Sequence, residues 1–246
     1  MNKRCTSTLL ALAMGLSLTA PSMTTAYAAQ TTSPIEFANG LAQPVFQIDQ
    51  DIQRFCVYVE TDYDTDADGK LDLLKVLVQL PTAAMNGDYQ AGVIYEARPY
   101  IAGEGYHPGS SGHCSEEDLY RTASPRSPRG TATTAEVAAN SRSGEYDFYE
   151  NIDWYDYFLV RGFAVVTAAG LGTSGSEGYE TCGTDLEIDA FASVIEWLTG
   201  SPDAPAYTNR TDNIQIDADW SNGKVGMTGR SYSGTTQFGI AGTGVK

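Results

Sequence analysis

The sequence predicts an α/β fold, in which buried strands alternate with helices around a largely parallel sheet. Two observations support this prediction. Short apolar runs recur along the chain and are bounded by turn residues, as buried strands usually are. Segments with apolar residues at helical spacing separate several of these runs. The length of 246 residues, of which 42% are hydrophobic, is sufficient to bury a substantial core.

The N-terminus has the three parts of a secretory signal. Lys3 and Arg4 give it a positive start, and the apolar run TLLALAMGLSLTA follows. Small residues Ala26 and Ala28 then surround a predicted cleavage after Ala28. The run is short and interrupted, so we favour a signal peptide over residues 1–28 rather than a retained membrane anchor. We therefore expect a secreted protein, extracellular or in the cell envelope, with no membrane contact after cleavage.

The charge and the cysteines restrict the partners and the chemistry. The formal net charge of −16 repels nucleic acid and anionic membrane surfaces, so we expect neither as a partner. Cys56 lies in the apolar stretch RFCVYVE and is interpreted as a buried small hydrophobic residue. Cys114 and Cys182 lie in polar, glycine-rich loops, where a disulfide between them and two separate thiols are about equally expected.

The first half of the chain predicts three strands after an irregular lead-in over residues 29–50. RFCVYVE (54–60) and DLLKVLVQL (72–80) are predicted strands, and the acidic turn TDYDTDADGKL joins them. AGVIYEA (91–97) predicts a short buried strand that ends close to a proline. Residues 102–145 are rich in Gly, Ser, Pro and Thr, and predict a long surface excursion such as a lid or a partly disordered loop.

The second half alternates helix and strand. YDFYENIDWYDYFLVRG (146–162) has aromatic residues at helical spacing, which is typical of side chains packed on a core. FAVVTAA (163–169) predicts a buried strand, and the loop GLGTSGSEG follows it. A helix then begins with the capping-box pair Thr184 and Glu187 and ends at SPDAP. NGKVGMT (222–228) predicts a turn and a strand, and SYSGTTQFGIAGTG predicts a helix.

The junction of this last strand and helix is the strongest candidate site. A serine hydroxyl is a poor nucleophile unless it is held exposed beside a base. A tight strand–turn–helix holds it in this way and places the next backbone amide at a helix N-terminus. Ser231 follows Gly229 by two residues and precedes Gly234 by three, so the pattern is G-x-S-Y-x-G rather than the commoner G-x-S-x-G. Glycine–serine turns are also common as purely structural features, but the strand before and the helix after favour a nucleophile.

The acidic turn is a second candidate site. Asp64, Asp66, Asp68, Gly69 and Asp72 match positions 1, 3, 5, 6 and 9 of a calcium-binding loop. Position 12 holds Lys75 instead of a bidentate glutamate, and the flanking segments are predicted strands rather than helices. We therefore favour a solvated acidic hairpin over a calcium site and assign no metal ligand.

Five segments taken together resemble a known family. They are DTDADGKLDLLKV, YFLVRGFAVV, GLGTSGSEG, VIEWLTG and NGKVGMTGRSYSGT. In this combination they resemble the N-terminal part of the catalytic domain of X-prolyl dipeptidyl-peptidases, whose serine peptidase group also contains cocaine esterase and α-amino-acid ester hydrolases. The resemblance covers roughly residues 52–246. It implies an α/β-hydrolase fold, a Ser-Asp-His triad without a cofactor, and release of Xaa-Pro dipeptides from peptides with proline at the second position.

The resemblance also implies roles for individual residues. Ser231 matches the nucleophile, and the backbone amide of Tyr232 matches one donor to the oxyanion. The tyrosine of the RPY segment, Tyr100, matches the second donor through its hydroxyl. His107 and His113 precede Ser231, which is the wrong chain order for the base of this fold. We consider a homodimer as the assembly.

The triad acid and histidine follow the serine in this fold, but none of the 15 residues after Ser231 is Asp, Glu or His. We therefore expect residues 51–246 to be a partial catalytic domain, truncated after the nucleophile helix and inactive by itself. Because such a cut leaves a strand edge and apolar faces uncovered, we also expect poor folding alone.

Two alternative functions stay open at this point. An esterase or amide acylase of the same group would share the serine turn and the oxyanion donors. A non-catalytic secreted calcium-binding or adhesion module would instead use DTDADGKLD. The segment GKVGMTGRSYSGT favours the peptidase.

Overall fold

The computed structural model of the protein describes residues 34–99, 123–141, 153–180 and 183–245. In these ranges the strands are β1 Phe37–Ala38, β2 Leu41–Ala42, β3 Ile52–Glu60, β4 Leu73–Pro81, β5 Ala91–Arg98, β6 Gly130–Ala132, β7 Ala164–Ala169, β8 Ala206–Tyr207, β9 Ile214–Ile216 and β10 Ser221–Met227. The helices are α1 Ile48–Asp51, α2 Thr82–Met85, α3 Thr134–Asn140, α4 Asp153–Leu159, α5 Asp185–Leu198 and α6 Tyr232–Thr243.

Eight of these strands form one sheet, in the order β10-β5-β7-β4-β3-β8-β9-β6. β5 is parallel to both β10 and β7, whereas β4 is antiparallel to both β3 and β7. The α/β prediction is confirmed, but the expectation of a largely parallel sheet is wrong. The reason is local, because the acidic turn joins β3 to β4 without a crossover helix and so returns the chain antiparallel.

The five longest strands coincide with the five apolar runs of the sequence. β4 is buried along its whole length, as is β7. Continuous apolar runs of this kind suit strands that are covered on both faces of a sheet. The sequence pattern therefore located the centre of the sheet correctly.

The three shortest strands of the sheet, β6, β8 and β9, were not predicted. β6 and the capped helix α3 both lie inside the excursion predicted over residues 102–145. That prediction is therefore wrong for residues 123–141, because β6 pairs with β9 and joins the sheet. The predicted lead-in over 29–50 likewise contains the small β1–β2 hairpin and the helix α1 within its described part.

The two faces of the sheet pack against different helices. Val166 of β7 belongs to the main core cluster together with Phe191 of α5 and Ile240 of α6. The adjacent Val165 belongs to a second cluster with Tyr155 of α4. Since successive side chains of a strand point to opposite faces, α5 and α6 cover one face and α4 covers the other.

Several predictions fall outside the described residues. They concern the signal peptide over 1–28, Tyr100, His107, His113, Cys114 and Cys182. Cys56, by contrast, is 5% exposed, which confirms its interpretation as a buried residue. Across the described ranges, no helix is both long enough and apolar enough to cross a lipid bilayer.

Candidate active site

Ser231 occupies the turn between β10 and α6 in an unusual backbone conformation. Its φ and ψ are 57° and −124°, and it is the N-cap residue of α6. Positive φ is uncommon for a residue with a side chain and costs free energy, so the surrounding structure must hold it. The side chain is exposed and makes no capping hydrogen bond to the helix. This geometry is that of a nucleophile elbow, in which the serine hydroxyl stands at the tip of a strained strand-to-helix turn.

Gly229 is the residue that lets this turn close. A Cβ atom at this position would lie 2.6 Å from the Ser233 carbonyl oxygen and 2.5 Å from Nε2 of Gln237. A backbone atom cannot move aside without opening the turn, so only glycine fits. A Cβ atom at Gly234 would meet its nearest neighbour at 3.4 Å, which is a far milder contact. Of the two glycines in the motif, only Gly229 is therefore required for the turn to close.

Two hydrogen bonds connect the elbow to β5. The Thr228 amide donates to the Tyr95 carbonyl over 3.0 Å, which extends the parallel pairing past the end of β10. The hydroxyl of Thr236, buried in the second turn of α6, donates to the Ala97 carbonyl over 3.1 Å. The elbow is therefore attached to β5, the neighbour of β10 in the sheet, on both its strand side and its helix side.

Tyr232 follows Ser231 and begins α6, and the N-terminus of a helix favours negative charge. Its hydroxyl donates a short hydrogen bond to Oε2 of Glu187, in the first turn of α5. The Gly183 amide donates to the same oxygen over 2.7 Å. Glu187 is only 2% exposed. Sequence reasoning assigned Glu187 to a capping box and did not connect it with Tyr232, because 45 residues separate the two.

A cavity of about 470 Å³ adjoins the elbow at the C-terminal ends of β5 and β10. Its wall is polar, because Glu96 and Arg98 of β5 approach one another with 3.9 Å between Oε1 and Nε. The Tyr155 hydroxyl donates a short hydrogen bond to Oε2 of Glu96, which fixes this carboxyl from the α4 side. The lining residues are Glu96, Arg98, Trp154, Thr228, Gly229, Arg230 and Ser233.

The acidic turn differs from the solvated hairpin that we expected. Asp64 and Asp72 are 1% and 2% exposed, and Asp72 accepts hydrogen bonds from the amide and the hydroxyl of Thr65. The pKa of Asp72 is raised to about 7, mainly because the carboxyl is buried. The hydrogen bonds from Thr65 oppose this shift, and the nearby carboxylates of Asp66 and Asp64 add to it. The turn packs on the loop after β7, since the Tyr179 amide donates to the Thr65 hydroxyl over 2.8 Å.

Within the described ranges, three carboxylates of the acidic turn lie close enough together to hold a metal ion. One oxygen from each of Asp64, Asp66 and Asp72 lies within 4.8 Å of the others. The amides of Asp68 and Gly69 already donate to the two oxygens of Asp64. Both oxygens of Asp64 are therefore already hydrogen-bonded within the turn, and the expectation that the turn binds no metal stays a prediction.

Of the predicted site residues, the structure describes Ser231 and Tyr232, which are adjacent at the start of α6. Tyr100 lies outside the described residues, so its role as an oxyanion donor stays a prediction. Its predecessor Pro99 packs against Gly170 at the end of β7, where a Cβ atom would lie 3.2 Å from the Pro99 Cα.

Comparison with known proteins places this geometry in context. A family model described as "X-Pro dipeptidyl-peptidase (S15 family)" matches residues 68–246. The chain is 41% identical over 216 residues to an Xaa-Pro dipeptidyl-peptidase of Lactobacillus helveticus, covering 86% of this chain and 27% of that protein. It is also 41% identical over 235 residues to an Xaa-Pro dipeptidyl-peptidase of Pediococcus pentosaceus, covering 88% of this chain and 28% of the relative.

Among solved structures, a CocE/NonD family hydrolase from Staphylococcus aureus is similar with a TM-score of 0.40 and 18% identity, covering 82% of this chain and 31% of that one. The chain thus spans little more than a quarter of the length of the curated relatives, with 27% and 28% covered.

Proposed function

The chain belongs to the X-Pro dipeptidyl-peptidase family S15, and we propose that it supplies the nucleophile of a secreted serine exopeptidase that releases Xaa-Pro dipeptides from the free N-termini of peptides. The observation that carries this proposal is the strained backbone of Ser231, with a positive φ, in the turn between β10 and α6. The names of the relatives support a substrate with proline at the second position.

In the proposed reaction, the Ser231 oxygen attacks the carbonyl carbon of the substrate proline. The triad histidine, which the resemblance places after Ser231, accepts the hydroxyl proton and passes it to the departing amine as the peptide bond breaks. The dipeptide is left as an ester on Ser231. A water molecule, deprotonated by the same histidine, then attacks this ester, and the proton returns to the serine oxygen as the dipeptide leaves.

Negative charge develops on the carbonyl oxygen during both steps. The amide of Tyr232 is well suited to stabilise it, because this amide is the first of α6 and directly follows the nucleophile. We propose the Tyr100 hydroxyl as the second donor, from the resemblance of the RPY segment alone. The polar cavity lined by Glu96, Arg98 and Arg230 lies beside this point and is the candidate space for the substrate.

The test of the function is covalent labelling of the complete gene product by a fluorophosphonate probe. We expect one label for each active site in the wild type and none in Ser231→Ala, together with hydrolysis of Ala-Pro anilide by the wild type alone. Unchanged labelling of Ser231→Ala would contradict the proposal. Hydrolysis of simple esters without hydrolysis of Ala-Pro anilide would favour an esterase that uses the same elbow.

The role of Tyr100 has a separate test. Removal of one oxyanion donor typically lowers the rate by about 10²–10³-fold, so we expect a loss of that order in kcat for Tyr100→Phe. A loss of less than a few-fold would remove Tyr100 from the site and leave the role of Ser231 untouched.

A further inference from the structure

Two helices of this chain begin with the same sequence pattern, a threonine followed three residues later by a glutamate. The pairs are Thr133 with Glu136 before α3 and Thr184 with Glu187 before α5. In a capping box, the threonine hydroxyl accepts from the glutamate amide and the glutamate carboxylate accepts from the threonine amide. The sequence alone predicts the same role for both glutamates.

The first pair forms the complete box. The Thr133 amide donates to Oε2 of Glu136 over 2.9 Å, and the Glu136 amide donates back to the Thr133 hydroxyl over 3.3 Å. Glu136 is exposed at the surface, and these hydrogen bonds lower the pKa of its carboxyl. Glu136 therefore caps the N-terminus of α3, which is the role that this sequence pattern predicts.

The second pair forms only half of the box. The Glu187 amide donates to the Thr184 hydroxyl, at 3.4 Å, but Oε2 of Glu187 turns to the Gly183 amide and the Tyr232 hydroxyl. This carboxyl is buried between α5 and α6 rather than exposed. Gly183 has a φ of 77°, a backbone conformation that favours glycine, and a Cβ atom there would be in ordinary contact with the Tyr232 hydroxyl oxygen at 3.5 Å.

The other carboxyl oxygen of Glu187 faces the end of β7. Oε1 lies 3.4 Å from the position that a Cβ atom on Gly170 would take. The carboxyl thus sits where the first turns of α5 and α6 meet the end of a central strand. A buried carboxyl is costly unless it is hydrogen-bonded, so this position requires the donors that Gly183 and Tyr232 provide.

We infer that Glu187 is a positioning residue for the oxyanion site, because it holds the side chain of Tyr232 and thereby fixes the direction of the Tyr232 amide beside Ser231. This inference rests on the proposed function. The amide of the first residue of a helix has no intrahelical partner, and its direction follows the orientation of its own peptide plane. Anchoring the aromatic ring on α5 restricts that plane at the residue next to the strained serine.

The experiment measures kcat and KM for Ala-Pro anilide, and the rate of fluorophosphonate labelling, in the complete gene product. Loss of a whole oxyanion donor costs about 10²–10³-fold, whereas here the amide stays present but is less well directed. For Tyr232→Phe we therefore expect about a tenfold lower kcat, a KM within about twofold, and slower labelling that still reaches completion. Glu187→Gln should lose less, because an amide oxygen accepts a weaker hydrogen bond than a carboxylate does.

The double variant shows whether the two residues act through their shared hydrogen bond. Once the hydroxyl is gone, residue 187 keeps its hydrogen bond from Gly183 but no longer holds Tyr232, so Glu187→Gln should add no further loss to Tyr232→Phe. Glu136→Gln is the matched control, because it changes a capping glutamate of the same pattern far from the elbow, and we expect no change in kcat.

Three outcomes would overturn the inference. They are an unchanged kcat in Tyr232→Phe, losses that multiply in the double variant, and a lower kcat in Glu136→Gln equal to that in Glu187→Gln. In each of these cases, normal labelling of the wild type and none of Ser231→Ala would leave the proposed function intact. A wild type that the probe does not label at Ser231 would remove the proposed function and this inference with it.

Discussion

At the scale of single residues, the backbone of Ser231 is the feature that the surrounding structure must maintain. A side-chain-bearing residue at φ 57° carries a conformational cost of about 1–3 kcal/mol. Here the close approach of Gly229 to Ser233 and the hydrogen bond from Thr236 to β5 hold the turn. The backbone strain is therefore confined to Ser231, whose hydroxyl must be exposed for the proposed reaction.

Asp72 gives a prediction for the dependence of stability on pH. Its carboxyl has a pKa of about 7 in the fold against 3.8 ordinarily, so between these values the folded state binds a proton that the unfolded state releases. The free energy of unfolding therefore falls as the pH rises through this window, by about 2–3 kcal/mol from pH 5 to pH 8. Asp72→Asn should reduce this fall, as measured by urea unfolding of the complete gene product at both pH values.

The exposed Asp62 of the same turn provides the control. Asp62→Asn removes one negative charge without touching the buried cluster, so it should keep the wild-type dependence on pH. Equal slopes for wild type and Asp72→Asn would show that Asp72 does not carry the effect.

At the scale of elements, α5 and α6 pack closely enough to bring Glu187 to Tyr232. Gly239 of α6 lies against Ile188 of α5, where a Cβ atom would come within 2.6 Å of the isoleucine Cδ1. Helices approach this closely only where one of them lacks a side chain at the contact. The hydrogen bond between the helices therefore depends on a glycine two turns away from the elbow.

Gly239→Ala and Gly242→Ala make a matched pair in α6. The first places a methyl group into Ile188, and such overpacking typically costs about 1–3 kcal/mol. At Gly242 no atom lies within 4 Å of an added Cβ, and replacing glycine in a helix usually gains about 0.5–1 kcal/mol. We expect opposite shifts of the urea midpoint, and a gain in stability for both variants would contradict the packing described.

The helix starts also show how far local sequence carries at this scale. The T-x-x-E pattern correctly located the beginning of α5, and the same pattern is present at α3 inside the segment predicted to be an irregular excursion. The prediction for that segment followed its high content of Gly, Ser, Pro and Thr and overlooked the capping pair Thr133 and Glu136. The pattern could not show the difference between the two carboxylates. Glu136 accepts a hydrogen bond from the amide of its capping threonine, whereas Glu187 accepts one from the Tyr232 hydroxyl.

At the scale of the whole molecule, Arg126 connects four parts of the fold. Its side chain is 4% exposed, with Nη2 2.5 Å from Oε2 of Glu177 and Nη1 3.5 Å from Oε2 of Glu60. Nη1 also donates to the Leu71 carbonyl, and the Tyr207 hydroxyl donates to the Arg126 carbonyl. The strand β3, the acidic turn, the loop after β7 and the strand β8 are therefore all linked to Arg126, which lies in the segment before β6.

Removal of Arg126 leaves two acidic groups without their cation. Burial raises the pKa of Glu60 and of Glu177 even with Arg126 beside them, so the fold disfavours the charged form of both carboxyls. Breaking a buried pair in this way typically costs about 3–5 kcal/mol. We expect Arg126→Ala to lose stability of that order at pH 8 and less at pH 5, because the raised pKa of both carboxyls makes protonation easier as the pH falls. Urea unfolding at the two pH values measures the difference.

Lys70→Ala is the contrasting variant. The ion pair of Lys70 with Asp68 spans 3.2 Å, but the two side chains are 61% and 47% exposed. Exposed pairs contribute little, so the unfolding midpoint should barely change. A loss in Lys70→Ala comparable to that in Arg126→Ala would contradict the importance given to burial.

The amino-acid sequence by itself determined the five longest strands β3, β4, β5, β7 and β10, the helices α5 and α6, and the serine between β10 and α6. It could do so because apolar periodicity, glycine positions and capping residues act over a few neighbouring residues. The resemblance to the S15 family added the expected chemistry from motifs that are equally local.

Only the tertiary structure decided the mixed direction of the sheet, the two- and three-residue strands β6, β8 and β9, the burial of Asp72 and the contact between Glu187 and Tyr232. Strands this short have no pattern of their own and exist because a partner strand pairs with them. The environment of a carboxyl likewise depends on segments that are distant in the chain. Those contacts form between elements after each has taken its local shape, and no window of sequence contains both sides of them.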